Sequence, residues 1–420
     1  MNGAQQGSSK SGRVRNLSAI YVGYTAARKA ALDKGVLAIF LVGQGLSNGE
    51  IGFLQTVLYL SIMATEIPTG VFGDRYGRGL SVTLGLLCSV IYCLGLIFAD
   101  HFWHFVAVFV VLGLGRSFVS GSDQALLYDA LKADQENQQF AKIEARARAV
   151  GGLSLSLAMV AGGVLAEVSW TLLYLIYLGL VLASVGVWSL FTATGAGRVE
   201  KDRLQAVRDE ETNSAREIRD FLFRSAQGRS FALAVLGIAL VSAMVAPFYF
   251  FAQTTMVEYG LEIRYVGAVY GFIEFAAAAC VLLSSRVERL YTFPRVLFSF
   301  YVLIAIAFFC ASLGSIGMLL VGFVVVVLTS SVFDVIAVHY LHRKAPAKFR
   351  ASAMSLASFL LTLLIAFGFS LSGYLVDLLG RETTYLAASV LCLVLMVLIA
   401  MVTGFGRLLR PQTVLRKGAS

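Results

Sequence analysis

Residues 66–79 read EIPTGVFGDRYGRG, and they sit between two long apolar segments, Gly52–Val71 and Leu80–Phe98. A chain that leaves one 20-residue apolar segment and enters the next through only Asp74–Gly79 has room for a helical hairpin in a bilayer and little else. The joint carries one acid, two arginines, and glycines at 70, 73, 77 and 79.

Composition extends this reading to the whole chain. Of 420 residues, 58% are hydrophobic and 14% charged, more apolar surface than a water-soluble core of this size can hide, so lipid is the expected solvent. Twelve apolar runs are long enough to cross the hydrocarbon, from 17–43 and 52–72 through to 351–376 and 384–405. Short loops rich in Lys and Arg stay cytoplasmic. With the amino terminus inside, 28 of the 34 Lys and Arg residues fall in cytoplasmic segments, and only Arg264 and Arg381 fall outside. Both termini are therefore expected in the cytoplasm. The net charge of +9 then faces an anionic leaflet, and no nucleic-acid partner is expected.

Cys88, Cys93, Cys280, Cys310 and Cys392 all lie in apolar runs, without a CxxC pair or a Cys/His cluster, and read as small core residues. No metal site and no cofactor is expected. Lys10, Arg13 and Arg15 precede an apolar stretch as in a signal peptide, but the charges from Arg28 to Lys34 argue for a retained first helix.

Two internal matches suggest duplication. Gly45-Leu46 followed by Gly52 recurs as Gly260-Leu261 followed by Gly267, and Gly163-x-Leu165-x-Glu167 recurs as Gly373-x-Leu375-x-Asp377. Each falls at the same place in its half. The expected fold is an all-α membrane protein of twelve transmembrane helices in two pseudo-symmetric six-helix bundles, residues 1–192 and 230–420, joined by a cytoplasmic linker at 193–229. Within that linker, Ile218, Phe221 and Leu222 are spaced for a short surface helix.

The run Gly70-x-x-x-Asp74-Arg75-x-Gly77-Arg78 resembles the loop between the second and third helices of major facilitator superfamily transporters, departing from it at Gly79, where a second basic residue is usual. Glu66-x-Pro68-Thr69-Gly70 and the stretch from Gly115 through Gly121, Asp123, Gln124 and Tyr128 to Asp129 resemble an exporter-rich bacterial branch, which places the chain in a bacterial inner (plasma) membrane. Gln124 stands where that branch has an acid, and Ala161-Gly162-Gly163 lacks the proline of its fifth-span motif. The resemblance implies that Asp74, Arg75, Arg78 and Asp129, with Gly70 and Gly77 shaping the loop and Glu66 in support, form a gating cluster that latches the halves.

An ionisable side chain deep in hydrocarbon costs at least ~2.5–3.5 kcal/mol and so faces a cavity or a partner. Eight qualify: Arg28, Lys29, Asp33 and Lys34 in span one, Arg116 and Asp123 in span four, Glu274 in span eight and Asp334 in span ten. Helical spacing puts Lys29 and Asp33 on one face of span one, Tyr21, Tyr24 and Arg28 on another, and Lys34 on neither. The same spacing puts Arg116 and Asp123 on one face of span four. Burial disfavours an ionised carboxylate and a nearby cation favours it, so an acid in a gated cavity can exchange a proton. Asp33 is the first candidate for coupling, then Glu274, Asp123 and Asp334. Arg28, Lys29, Arg116 and Tyr24 are candidates to bind substrate, with Tyr249 and Phe250 from the aromatic run beside Pro247, a residue expected to kink its helix.

The expected function is proton-coupled export of a small anionic or zwitterionic organic molecule by a monomer, its partners being substrate, protons and the lipid bilayer. The alternative is a proton-coupled uptake symporter for an anionic metabolite on the same fold. No nucleotide loop, metal cluster or paired nucleophile and base points to an enzyme.

Overall fold

A computed structural model describes residues 2–133, 136–196, 226–346 and 350–403. Most of the expected linker, including its surface helix at 216–222, lies outside them. The described residues are helical, with no strand among them. Eleven segments are long and apolar enough to cross a membrane, from Asn48–Tyr76 to Arg381–Met401.

Two compact units emerge. The first comprises Met1–Glu211 with Leu261–Phe275, and the second Thr212–Gly260 with Ala276–Ser420. In the first unit the helices run α1 (Asn2–Lys29), α2 (Leu37–Gly43), α3 (Asn48–Tyr76), α4 (Arg78–Phe98), α5 (Phe102–Val119), α6 (Ser122–Ala133), α7 (Phe140–Val168) and α8 (Trp170–Phe191). Next come α9 (Ala226–Glu258), α10 (Ile263–Cys280), α11 (Ser284–Leu290), α12 (Phe293–Ala311), α13 (Ile316–Lys344), α14 (Arg350–Leu379) and α15 (Arg381–Thr403).

Local chemistry sets several boundaries. A capping box opens α3: the Ser47 hydroxyl accepts from the Glu50 N–H at 3.2 Å, while the Glu50 carboxylate accepts from the Ser47 N–H at 2.9 Å. Pro294 in the first turn opens α12, where a missing N–H costs nothing. Gly77, at φ 114°, separates α3 from α4 in a conformation that a side chain resists. The hairpin joint is thus a single residue, tighter than the expected Asp74–Gly79, and Asp74 and Arg75 complete the last turn of α3. Gly45 and Gly260, the paired glycines of the internal match, both have positive φ, 83° and 91°, so the two sequence copies share a turn.

Two expected spans are interrupted. Span one is not a single helix over 17–43: α1 stops at Lys29, residues 30–36 form irregular turns, and α2 resumes at Leu37. Lipid does not tolerate irregular backbone, but protein can shield it. Here Leu32, Asp33 and Val36 are all buried, the Leu32 carbonyl sits against Gly162 of α7, and Gly35 lies against Met159 and Tyr270. Span four also breaks, at Ser120–Gly121, between α5 and α6. By contrast α9 continues as a helix through Pro247.

In the first unit α1 packs on α7 and α8, and α5 lies between α3 and α4. Trp188 of α8 donates its indole N–H to the Gly79 carbonyl at 3.1 Å and stacks on Phe191, fixing α8 against the start of α4. In the second unit α9 packs on α14, and α12 on α13 and α15. The Tyr301 hydroxyl donates to the Gly237 carbonyl at 2.7 Å, an equivalent polar tie within an apolar core.

Candidate functional site

The break in span one carries the site. Asp33 stands in it at 4% exposure, and the Tyr92 hydroxyl of α4 donates to its Oδ2 at 2.5 Å. Arg116 of α5 acts electrostatically on Asp33, Tyr59 and Tyr177, and Tyr174 of α8 is a further electrostatic neighbour of Asp33. The Arg116 side chain is exposed, which joins a buried carboxylate to an accessible guanidinium. A carboxylate and a cation set apart in this way can take up a proton and an anion separately.

Because α1 ends at Lys29, helical spacing does not relate Lys29 to Asp33. Lys29 is exposed beside Gly151, whereas Asp33 points into the core. The break at Gly121 likewise removes the register between Arg116 and Asp123. Asp123 turns to Arg28, 3.4 Å from its Nη2, while Arg28 also lies over the Tyr24 ring at 5.6 Å. Tyr21, on the same face, donates to Glu144 at 3.3 Å, and Glu144 pairs with Arg148 at 2.8 Å.

Tyr24, a candidate to bind substrate, is fully buried in this structure, its ring 4.7 Å from that of Trp188, and packs in the core of the first unit. Phe250 is similarly enclosed, edge-on to Phe251 and Phe369 in the second unit. Tyr249 is half-buried and stacks on Phe323 at 5.7 Å. The run beside Pro247 therefore mostly fills the packing among its own helices, since aromatic area is most stabilising when removed from both lipid and water.

Glu274 lies 3.3 Å from Lys34. Lys34, in the irregular turns of span one, therefore has an acidic partner on α10. Nearby, Gly163 and Gly267 face each other at backbone contact, and Glu167 accepts from the Arg264 N–H at 3.0 Å while pairing with its guanidinium at 2.8 Å. Small residues permit this close approach of α7 and α10. Asp334 stands apart on an exposed side of α13, with no ion pair among the described residues.

At the hairpin joint, Arg78 brings two acids together, Asp129 at 2.9 Å and Asp74 at 3.4 Å. Arg75 does not join them; its guanidinium lies over Tyr76 at 5.4 Å. Glu66 is exposed two turns earlier on α3, and among the described residues no contact ties it to Arg78. Both partners of Arg78 belong to the first unit, so the observed cluster ties α3 and α4 to α6.

Sequence reading missed Tyr92, Tyr174 and Glu144. The two tyrosines sit in uninterrupted apolar runs, where nothing marks them from core aromatics. Glu144 lies in a charged stretch, Lys142–Arg148, that reads as loop but is the first turns of α7.

Known proteins with related sequence and structure share this fold. A family model described as Major Facilitator Superfamily matches residues 30–292. An uncharacterized MFS-type transporter, YxaM of Bacillus subtilis (strain 168), is 23% identical over 125 residues, 29% of this chain and 31% of that protein. Protein spinster homolog 3 of Danio rerio is 36% identical over 77 residues, 18% of this chain and 16% of that protein. Each match thus spans less than a third of the relative. Among solved structures, the nucleoside transporter NupG superposes with a TM-score of 0.73 at 13% identity, covering 93% of this chain and 99% of its own. A peptide transporter POT in complex with sulfate gives 0.71 at 14% identity, covering 94% and 95%. At these identities the likeness is one of fold.

Proposed function

Because the chain belongs to the Major Facilitator Superfamily, we propose that it is a proton-coupled secondary transporter that exports a small anionic or zwitterionic organic molecule by alternating access. Span one, broken at Asp33, completes twelve spans, and both termini face the cytoplasm of a bacterial plasma membrane. Asp33 carries the proton. Export, rather than uptake, follows the resemblance of Glu66–Gly70 and of the Gly115–Asp129 stretch to exporters.

One observation carries the substrate charge. Of four cations at membrane depth, Arg28 and Lys34 have carboxylate partners, whereas Lys29 and Arg116 have no ion pair among the described residues. A cation at depth without a direct ion pair is costly; Arg116 senses Asp33 electrostatically without pairing with it, and a ligand carboxylate, hydroxycarboxylate or phosphate at Arg116 offsets that cost. A guanidinium accepts such groups through two parallel hydrogen bonds. Arg78, holding Asp129 and Asp74, is the gating clamp of the first unit.

The test uses matched anionic and cationic compounds competing for the purified protein, wild type against Arg116→Ala. The proposal expects anion binding to weaken at least tenfold, the equivalent of ~1.4 kcal/mol, with the cation unaffected. Loss confined to the cationic compound contradicts it.

A further inference from the structure

Asp33 is not on a helix, so no helical register aims its carboxylate. The turns around it fix only the main chain, through the Lys34 N–H to the Ala31 carbonyl at 3.4 Å and the Val36 N–H to the Asp33 carbonyl at 2.9 Å. The carboxylate must be held by what surrounds it. The titratable and charged neighbours are Tyr92 and Cys93 of α4, Arg116 of α5, and Tyr174 and Tyr177 of α8. From α7 the segment meets Gly162 and Met159, which carry no charge, and from α10 it meets Tyr270 at Gly35 and, through Lys34, the Glu274 carboxylate at 3.3 Å.

Of these, Tyr92 is the one that donates a hydrogen bond to Asp33 among the described residues, at 2.5 Å. It is itself rigid: 3% exposed, on the unbroken helix α4, with its ring edge-on to Phe109. A short O–H···O⁻ bond from a fixed donor stabilises the ionised carboxylate and adds nothing comparable to the neutral acid, because that acid already carries its own proton.

We infer that Tyr92 is the positioning residue that aims the Asp33 carboxylate and sets the pH at which it releases its proton. The inference rests on the proposal that Asp33 carries the coupled proton. In each cycle the Asp33 O–H bond breaks on release, the proton leaves to water, and the Tyr92 hydroxyl keeps its own hydrogen while donating to the resulting anion. Rebinding of a proton to Asp33 reverses the step, with no other reactant.

The experiment is an infrared pH titration of the purified full-length protein in lipid nanodiscs, reading the carbonyl band of the protonated carboxyl group. The Asp33 band is identified by its loss in Asp33→Asn. In Tyr92→Phe the midpoint of this band is expected to move to higher pH by about one unit, the size of one charge-assisted hydrogen bond. Fluorotyrosine at position 92, a stronger donor of the same shape, is expected to move it the opposite way. Tyr301→Phe, which removes a buried hydroxyl bonded to a main-chain carbonyl in the other unit, leaves it in place. A midpoint unmoved by both changes at position 92 overturns the inference while Asp33 keeps its role. If Asp33→Asn removes no titrating band, the assignment of the proton to Asp33 fails, and the inference with it.

Discussion

Lys34 Nζ lies 3.3 Å from Glu274 Oε1, although 240 residues separate them in the chain. The pair is half-exposed, at 43% and 26% of the two side chains, so its worth to stability is small, within about 1 kcal/mol. Its consequence is geometric, since it fastens the irregular part of span one to α10.

Exchanging the pair tests that consequence. Lys34→Glu and Glu274→Lys should each impair transport, and the double exchange should recover most of the wild-type rate. Thermal unfolding should change little in any of the three. Recovery absent from the double variant, at equal expression, removes the pair from the account.

Gly162 gives the sharpest packing prediction. A methyl group there meets the Leu32 carbonyl, a main-chain atom with nowhere to go, whereas one at Gly152 meets nothing within 4 Å. Gly162→Val should destabilise by about 1–3 kcal/mol and disturb the Asp33 turn, while Gly152→Ala should be silent. Thermal melting of the purified variants, with transport measured in parallel, checks both.

The clamp separates two arginines three positions apart, Arg75 and Arg78. Arg78 reaches Asp129 at 2.9 Å, whereas Arg75 rests on Tyr76. Arg78→Ala is expected to slow transport about five- to tenfold, the rate equivalent of a pair worth about 1–1.4 kcal/mol. Arg75→Ala should cost clearly less. Equal loss in the two variants contradicts the geometry.

The helical hairpin and the apolar spans were legible in the sequence because each depends on local features, span length and charge placement, whereas the Arg78–Asp129 contact, 51 residues apart in the chain, was implied by the family resemblance alone. The shared turn at Gly45 and Gly260 was legible for the same reason. What the sequence hid was the fate of helical register. Reading span one as continuous put Lys29 and Asp33 on one face, but the break at residues 30–36 depends on cover from Gly162, Met159 and Tyr270, which lie far away in the chain. The break at Gly121 separated Arg116 from Asp123 in the same way. The packing of Tyr24 on Trp188 was not legible because a tyrosine facing another helix and one facing a cavity occupy identical helical positions.

Topology is open to direct test. Reporter domains fused after Ser420, and within residues 259–262 between α9 and α10, should report cytoplasmic and external locations respectively. The expectation follows from basic residues gathered on one side, with Arg264 and Arg381 alone on the other.

The central claim is that Asp33 moves the proton. Proteoliposomes loaded with a pH-sensitive dye, carrying wild type or Asp33→Asn and exposed to an anionic compound identified by the Arg116 competition test, measure it most directly. The account predicts that Asp33→Asn still binds the compound, since an amide keeps the shape, but shows no substrate-dependent proton flux and no transport driven by a pH gradient. Proton-driven transport at the wild-type rate in Asp33→Asn would contradict it and pass the role to Asp334, the acid without an ion pair among the described residues.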